Sequence, residues 1–102
     1  MDADKRRRLK ERGWTTGSVA EFLELTPEES AVIEIKLRLT KLVKKARLRR
    51  HLSQSALAQR LGSSQSRVAK IEAGDPTVSL DLLVRASFAS GATRKELARA
   101  MA

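Results

Sequence analysis

The 102-residue chain has no cysteine and no tyrosine, and only one histidine, one tryptophan, two phenylalanines and two prolines. Without cysteine there is no disulfide, no thiol nucleophile and no cysteine-ligated zinc, a pattern that fits a reducing, cytoplasmic setting. The lone histidine, His51, excludes a histidine metal cage or a histidine dyad. No apolar run approaches the roughly 18 residues that a membrane span needs, and no signal-peptide core follows the basic N-terminus. Nor does any nucleophile–base set or glycine-rich phosphate loop occur. The expectation is a protein that is not an enzyme and holds no cofactor or metal. A hydrophobic share of 41% suffices for one modest core in one domain.

What the chain has in excess is positive charge, 21 Lys and Arg against 12 Asp and Glu. Its distribution is more informative than its sum. Residues 1–12 carry six bases and three acids in a polar run that reads as a disordered basic arm. Residues 13–34 carry five glutamates and no base, whereas residues 35–71 carry eleven bases and no acid. Residues 72–102 balance at four of each. An acid-free stretch of that length is the footprint of a phosphate-binding surface, because faces that serve only solubility normally mix signs.

Helix starts are written clearly. Ser18 with Glu21, Thr26 with Glu29 and Thr93 with Glu96 fit the S/T-x-x-E capping box, and Pro27 falls at a first helical position. No stretch alternates with the period of two that a half-buried strand requires. The chain is therefore expected to be all-α. A short helix is predicted over 19–25 and a long one from 27 to about 50, with Ala31, Val32, Ile35, Leu39, Leu42, Val43 and Ala46 on one buried arc. Ile33 and Leu37 lie off that arc and need cover. Shorter helices follow over 54–61, 65–73, 80–90 and from 94 onward, capped by Ser53, Ser63 or Ser64, Ser79 and Thr93. Gly62, Gly74 and Gly91 stop three of them. His51 reads as a helix C-terminal residue favoured by the dipole. In the last helix Leu97, Ala98 and Met101 share a side.

Two short helices separated by Gly-Ser-Ser, the second rich in Gln, Ser, Arg and Lys, make a helix-turn-helix. A helix entering the major groove N-terminus first brings its leading side chains to base edges. Gln65, Ser66 and Arg67 are the candidates there: Gln65 can pair with adenine, and Arg67 with guanine or a phosphate. Ser64, Ser66 and the free N–H groups at the helix start suit phosphate oxygens, and Lys70 reaches the flanking backbone. Lys44 and Lys45 of the long helix add phosphate affinity without sequence information.

The stretch LSQSALAQRLGSSQSRVAKIEAG, residues 52–74, resembles the phage-repressor or XRE class of helix-turn-helix proteins. The likeness lies in the capping serine, the Gln that opens the first short helix, the A-x-x-L-G turn, S-Q-S opening the recognition helix, and I-E-x-G. It covers about residues 40–100. The resemblance implies a five-helix, lambda-repressor-like domain, here residues 36–102, with a short N-terminal helical extension. It implies that Gln54 contacts a phosphate and braces Gln65, and that Arg47 and Glu72 form a structural ion pair. One recognition helix reads only a few base pairs, so the expectation is a homodimer on double-stranded operator DNA with inverted half-sites, acting as a repressor of its own promoter. Ser87 and Ser90 depart from the family's apolar pattern, which predicts either loose packing of that helix or Phe88 taking over some of the burial.

Residues 13–35, ahead of this domain, resemble the leader of HigA-like antitoxins, small DNA-binding proteins that also silence a basic ribonuclease of the HigB or RelE type. Five glutamates would complement such a toxin, with Trp14, Phe22, Leu23, Ile33 and Leu37 as apolar contacts. Equally, Trp14, Phe22 and Leu25 could close the core over Ile33 and Leu37, or form a dimer contact. A stand-alone regulator with no toxin partner, and an inhibitor with only weak DNA binding, are the alternative functions. A membrane-surface role for the long helix conflicts with the core's claim on its apolar face.

Overall fold

The computed structural model describes residues 24–102. The expected arm 1–12, the Ser18–Glu21 box, most of the 19–25 helix, and Trp14, Phe22 and Leu23 lie outside the described residues. Among those residues the chain is all-helical: α1 (Pro27–Arg49), α2 (Gln54–Leu61), α3 (Gln65–Glu72), α4 (Leu80–Ala89) and α5 (Arg94–Met101). Two compact units divide the chain, residues 1–34 and 35–102, with the boundary inside α1. No helix among the described residues is long and apolar enough to cross a membrane.

In the first unit, α1 begins as its sequence dictates. Glu29 N–H donates to Thr26 Oγ1 at 3.1 Å while Thr26 N–H donates to Glu29 Oε1 at 3.4 Å, so each satisfies the other's orphan donor. Glu24 has φ 57° and residues 24–26 are not helical, so the predicted 19–25 helix does not extend that far. Ala31 and Val32 correct the expected stripe as well: both are exposed, Val32 by 46%.

In the second unit, Leu39, Leu42, Val43 and Ala46 of α1 join Leu57, Ala58 and Leu61 of α2, Val68 and Ile71 of α3, and Leu83 and Ala86 of α4 in one core. Within this unit the buried stripe of α1 runs from Ile35, partly buried, to Arg47. Ser53, Ser64, Ser79 and Thr93 each accept an N–H three residues on, which sets where the short helices start.

Three further expectations are corrected. Ser87 and Ser90 are wholly buried, donating to the carbonyls of Leu83 and Ala86 at 2.7 and 2.8 Å. Each hydroxyl is satisfied by a carbonyl of α4, so this segment is buried with small residues and Phe88 stays 42% exposed. On α5, Leu97 and Ala100 pack on the core, whereas Ala98 and Met101 are exposed. Finally, His51 lies beyond α1 with φ 56°, where Leu52 N–H closes back on the Arg47 carbonyl at 3.1 Å. It performs the left-handed stop that Gly62 performs after α2 at φ 69°.

Candidate nucleic-acid interface

The α2–α3 turn is built from three local signals. Gly62 reverses the chain, Ser63 N–H returns to the Ala58 carbonyl at 2.9 Å, and Ser64 caps α3 by accepting Arg67 N–H at 3.2 Å. Val68 and Ile71 bury the inner face of α3. The outer face then follows from helical geometry: Gln65, Ser66, Arg67 and Lys70 are all exposed, and so is Ser64 ahead of them.

The first residue of each helix in this pair meets the other. Gln65 Nε2 donates to Gln54 Oε1 at 2.7 Å, and Gln54 Nε2 lies 3.5 Å from Glu72 Oε1. Behind them Arg47 forms a two-toothed bond to Glu72, Nε to Oε2 at 2.6 Å and Nη2 to Oε1 at 2.9 Å. Its third donor, Nη1, reaches the Leu52 carbonyl at 2.8 Å. Only 10% of the Arg47 side chain and 5% of the Glu72 side chain are exposed. The Glu72 hydrogen bond and charge raise the Arg47 pKa above its ordinary value despite burial. Glu72 is the first acid after the run of bases at 35–71, and this pairing neutralises it.

A hollow of about 320 Å³ opens beside α3, lined by Ser64, Ser66, Arg67, Lys70, Thr77, Val78, Ser79 and Leu82. Hydroxyls, two cations and the first turn of α4 converge there, a donor set suited to a phosphate oxygen. Thr77 and Ser79 were absent from the sequence-derived site, although Asp75-Pro76-Thr77 carries the turn signal that places them. Thr77 donates to Asp75 Oδ1 twice, through its N–H at 2.8 Å and its hydroxyl at 2.7 Å. Those bonds, helped by Lys70 and Lys36, hold the Asp75 carboxyl below its ordinary pKa. Lys36 ties the same loop down by donating to the Pro76 carbonyl at 3.0 Å.

Lys44 and Lys45 are exposed on the outer side of α1. With Leu48 they line a shallow depression that reaches Glu72, and Lys45 also borders a groove shared with Glu96 and Arg99 of α5. Near that groove Arg49 makes a two-toothed ion pair to Glu96 at 2.8 and 3.1 Å. That pairing and the Thr93 N–H lower the Glu96 pKa to about 2. Leu37 is exposed and Ile33 half-buried. Among the described residues no group of His, Cys, Asp and Glu is arranged to hold a metal ion.

A family model described as helix-turn-helix matches residues 43–87, from the second half of α1 into α4. The second unit is thus a small all-α helix-turn-helix fold, and the match supports a DNA-binding transcription regulator. No curated protein and no solved structure matches the chain.

Proposed function

We propose that the protein is a sequence-specific transcriptional repressor that binds its operator as a homodimer and represses its own promoter. The observation that carries this reading is the exposed start of α3. Gln65 is held there by Gln54, beside a hydroxyl- and base-lined hollow, with the Glu72 carboxylate behind it paired to Arg47. Gln65, Ser66 and Arg67 face the bases in the major groove. Gln54, Ser64, Lys70, Lys44 and Lys45 hold phosphates, as does Ser79. One recognition helix reads only a few base pairs, so useful affinity needs two half-sites about 34 Å apart. Repression is steric: an occupied operator excludes the transcription machinery.

Antitoxin activity in the cytoplasm, against a basic ribonuclease of the HigB or RelE type, is the second layer of this reading. It rests on the five glutamates and absent bases of residues 13–34, together with exposed Val32 and Leu37. Trp14, Phe22 and Leu23 would be further apolar anchors.

The test is a gel-shift titration on the chain's own upstream DNA, with random DNA alongside, at about 50 and about 200 mM salt. Cooperative shifting of the upstream fragment that survives the higher salt supports dimeric, specific reading. Equal binding to both fragments, erased by salt, refutes it and leaves protein inhibition as the function. Gln65→Ala should cost about 1–3 kcal/mol on the preferred site and little on random DNA. Lys44→Ala should weaken both alike. A neighbouring toxin-sized protein that co-purifies with the chain would test the second layer.

A further inference from the structure

Four side chains stand in one line that begins in the core and ends on the exposed face of α3. Arg47 binds Glu72, the Glu72 carboxylate faces the Gln54 amide nitrogen at 3.5 Å, and Gln54 Oε1 accepts from Gln65 Nε2 at 2.7 Å. We infer that Glu72 is a positioning residue for base recognition: its charge sets which way round the Gln54 amide sits, and Gln54 thereby sets which edge Gln65 presents to a base. This rests on the DNA-reading role of Gln65 proposed above.

A carboxamide has a donor end and an acceptor end of nearly equal size, so packing alone does not choose between its two orientations. A carboxylate chooses, because it only accepts. Turning Gln54 round would set its oxygen against Glu72 Oε1, two acceptors with no proton between them. With only 5% of the Glu72 side chain exposed, little water screens that repulsion. Gln54 therefore offers its oxygen to Gln65. Gln65 commits one N–H to that bond and keeps its oxygen and its second N–H outward. An acceptor beside a donor matches the N6 amino group and N7 of adenine. With Gln54 reversed, Gln65 would commit its oxygen instead and present two N–H groups, which match the O6 and N7 acceptors of guanine. Glu72 thus selects adenine over guanine while standing behind the surface that meets DNA.

The experiment is selection from a random duplex pool, sequenced for the wild type, Gln65→Ala, Glu72→Gln, Gln54→Leu and the exchange Glu72→Gln/Gln54→Glu. Gln65→Ala identifies the base position. There the wild type should prefer adenine over guanine by about tenfold. Glu72→Gln and Gln54→Leu should both accept the two purines within about twofold, by the same reasoning. The exchange variant should regain adenine, because a carboxylate at position 54 again offers only acceptors to Gln65. A merely structural Glu72 would lower affinity for all sequences and leave the base preference intact; an intact adenine preference in Glu72→Gln, or in Gln54→Leu if the former does not fold, overturns the inference. If the wild type selects no sequence at all, DNA reading fails separately, and the relay is judged in the free protein. Glu72→Gln should then shift the Gln65 side-chain amide resonances, although Glu72 reaches Gln65 only through Gln54. Unmoved Gln65 resonances overturn the relay.

Discussion

Arg47→Met probes the most consequential polar contact in the second unit. Arg47 supplies two of the three hydrogen bonds that reach the Glu72 carboxylate, at 2.6 and 2.9 Å, and the third is a long one from Gln54 at 3.5 Å. With 5% of the Glu72 side chain exposed, water cannot replace what Arg47 gave. A surface ion pair would contribute about 0–1 kcal/mol. A buried carboxylate stripped of its partner costs about 3–5 kcal/mol, a large fraction of the about 5–15 kcal/mol that holds such a domain together. The Leu52 carbonyl also loses the Arg47 donor at 2.8 Å, a net term of about 0.5–1.5 kcal/mol. Urea unfolding followed by circular dichroism at pH 7 should therefore show Arg47→Met weaker by about 3–5 kcal/mol. The double variant Arg47→Met/Glu72→Leu should recover most of that loss, because no charge remains to be stranded. A single-variant loss below about 1 kcal/mol, or a double variant no better than the single, would refute the burial argument.

Three other outcomes follow from the same geometry. Glu96 is held at about 2, below the ordinary carboxylate value of 4.5, so its stabilisation is full above that ordinary value and is lost as pH falls through about 2. Glu96→Gln keeps the capping box with Thr93 and removes the charge, so its stability deficit relative to wild type should shrink steadily between pH 5 and 2 in acid titrations of the melt. Ser90→Leu should destabilise by about 1–3 kcal/mol in thermal unfolding, since Ser90 is wholly buried at the end of α4 and leaves no room for a larger side chain. His51→Gly should stabilise by about 0.5–1 kcal/mol in urea titration, as relief of the left-handed strain at φ 56° outweighs glycine's extra freedom in the unfolded chain.

Much of this protein is written locally. The starts of α2, α3, α4 and α5 follow from Ser53, Ser64, Ser79 and Thr93, because a capping hydroxyl and its N–H lie within three residues and need no distant partner. The helix-turn-helix spacing and the acid-free run at 35–71 are likewise sequence properties. Apolar periodicity, in contrast, reports only that a face is suited to burial, and whether it is buried depends on how far the neighbouring helices extend. Ala31 and Val32 lie on the same arc as Leu39 and Val43 and are nevertheless exposed. Ser87 and Ser90 erred in the opposite direction: their hydroxyls bond to the preceding turn, so polar residues occupy core positions without cost in unpaired groups. Thr77 and Ser79 joined α3 only once the 73–79 loop had folded back beside it. The line from Arg47 through Glu72 and Gln54 to Gln65 was also a tertiary result. Those residues span 47 to 72 in the chain, and hydrogen bonds act over about 3 Å, so only the packed fold could bring them into register.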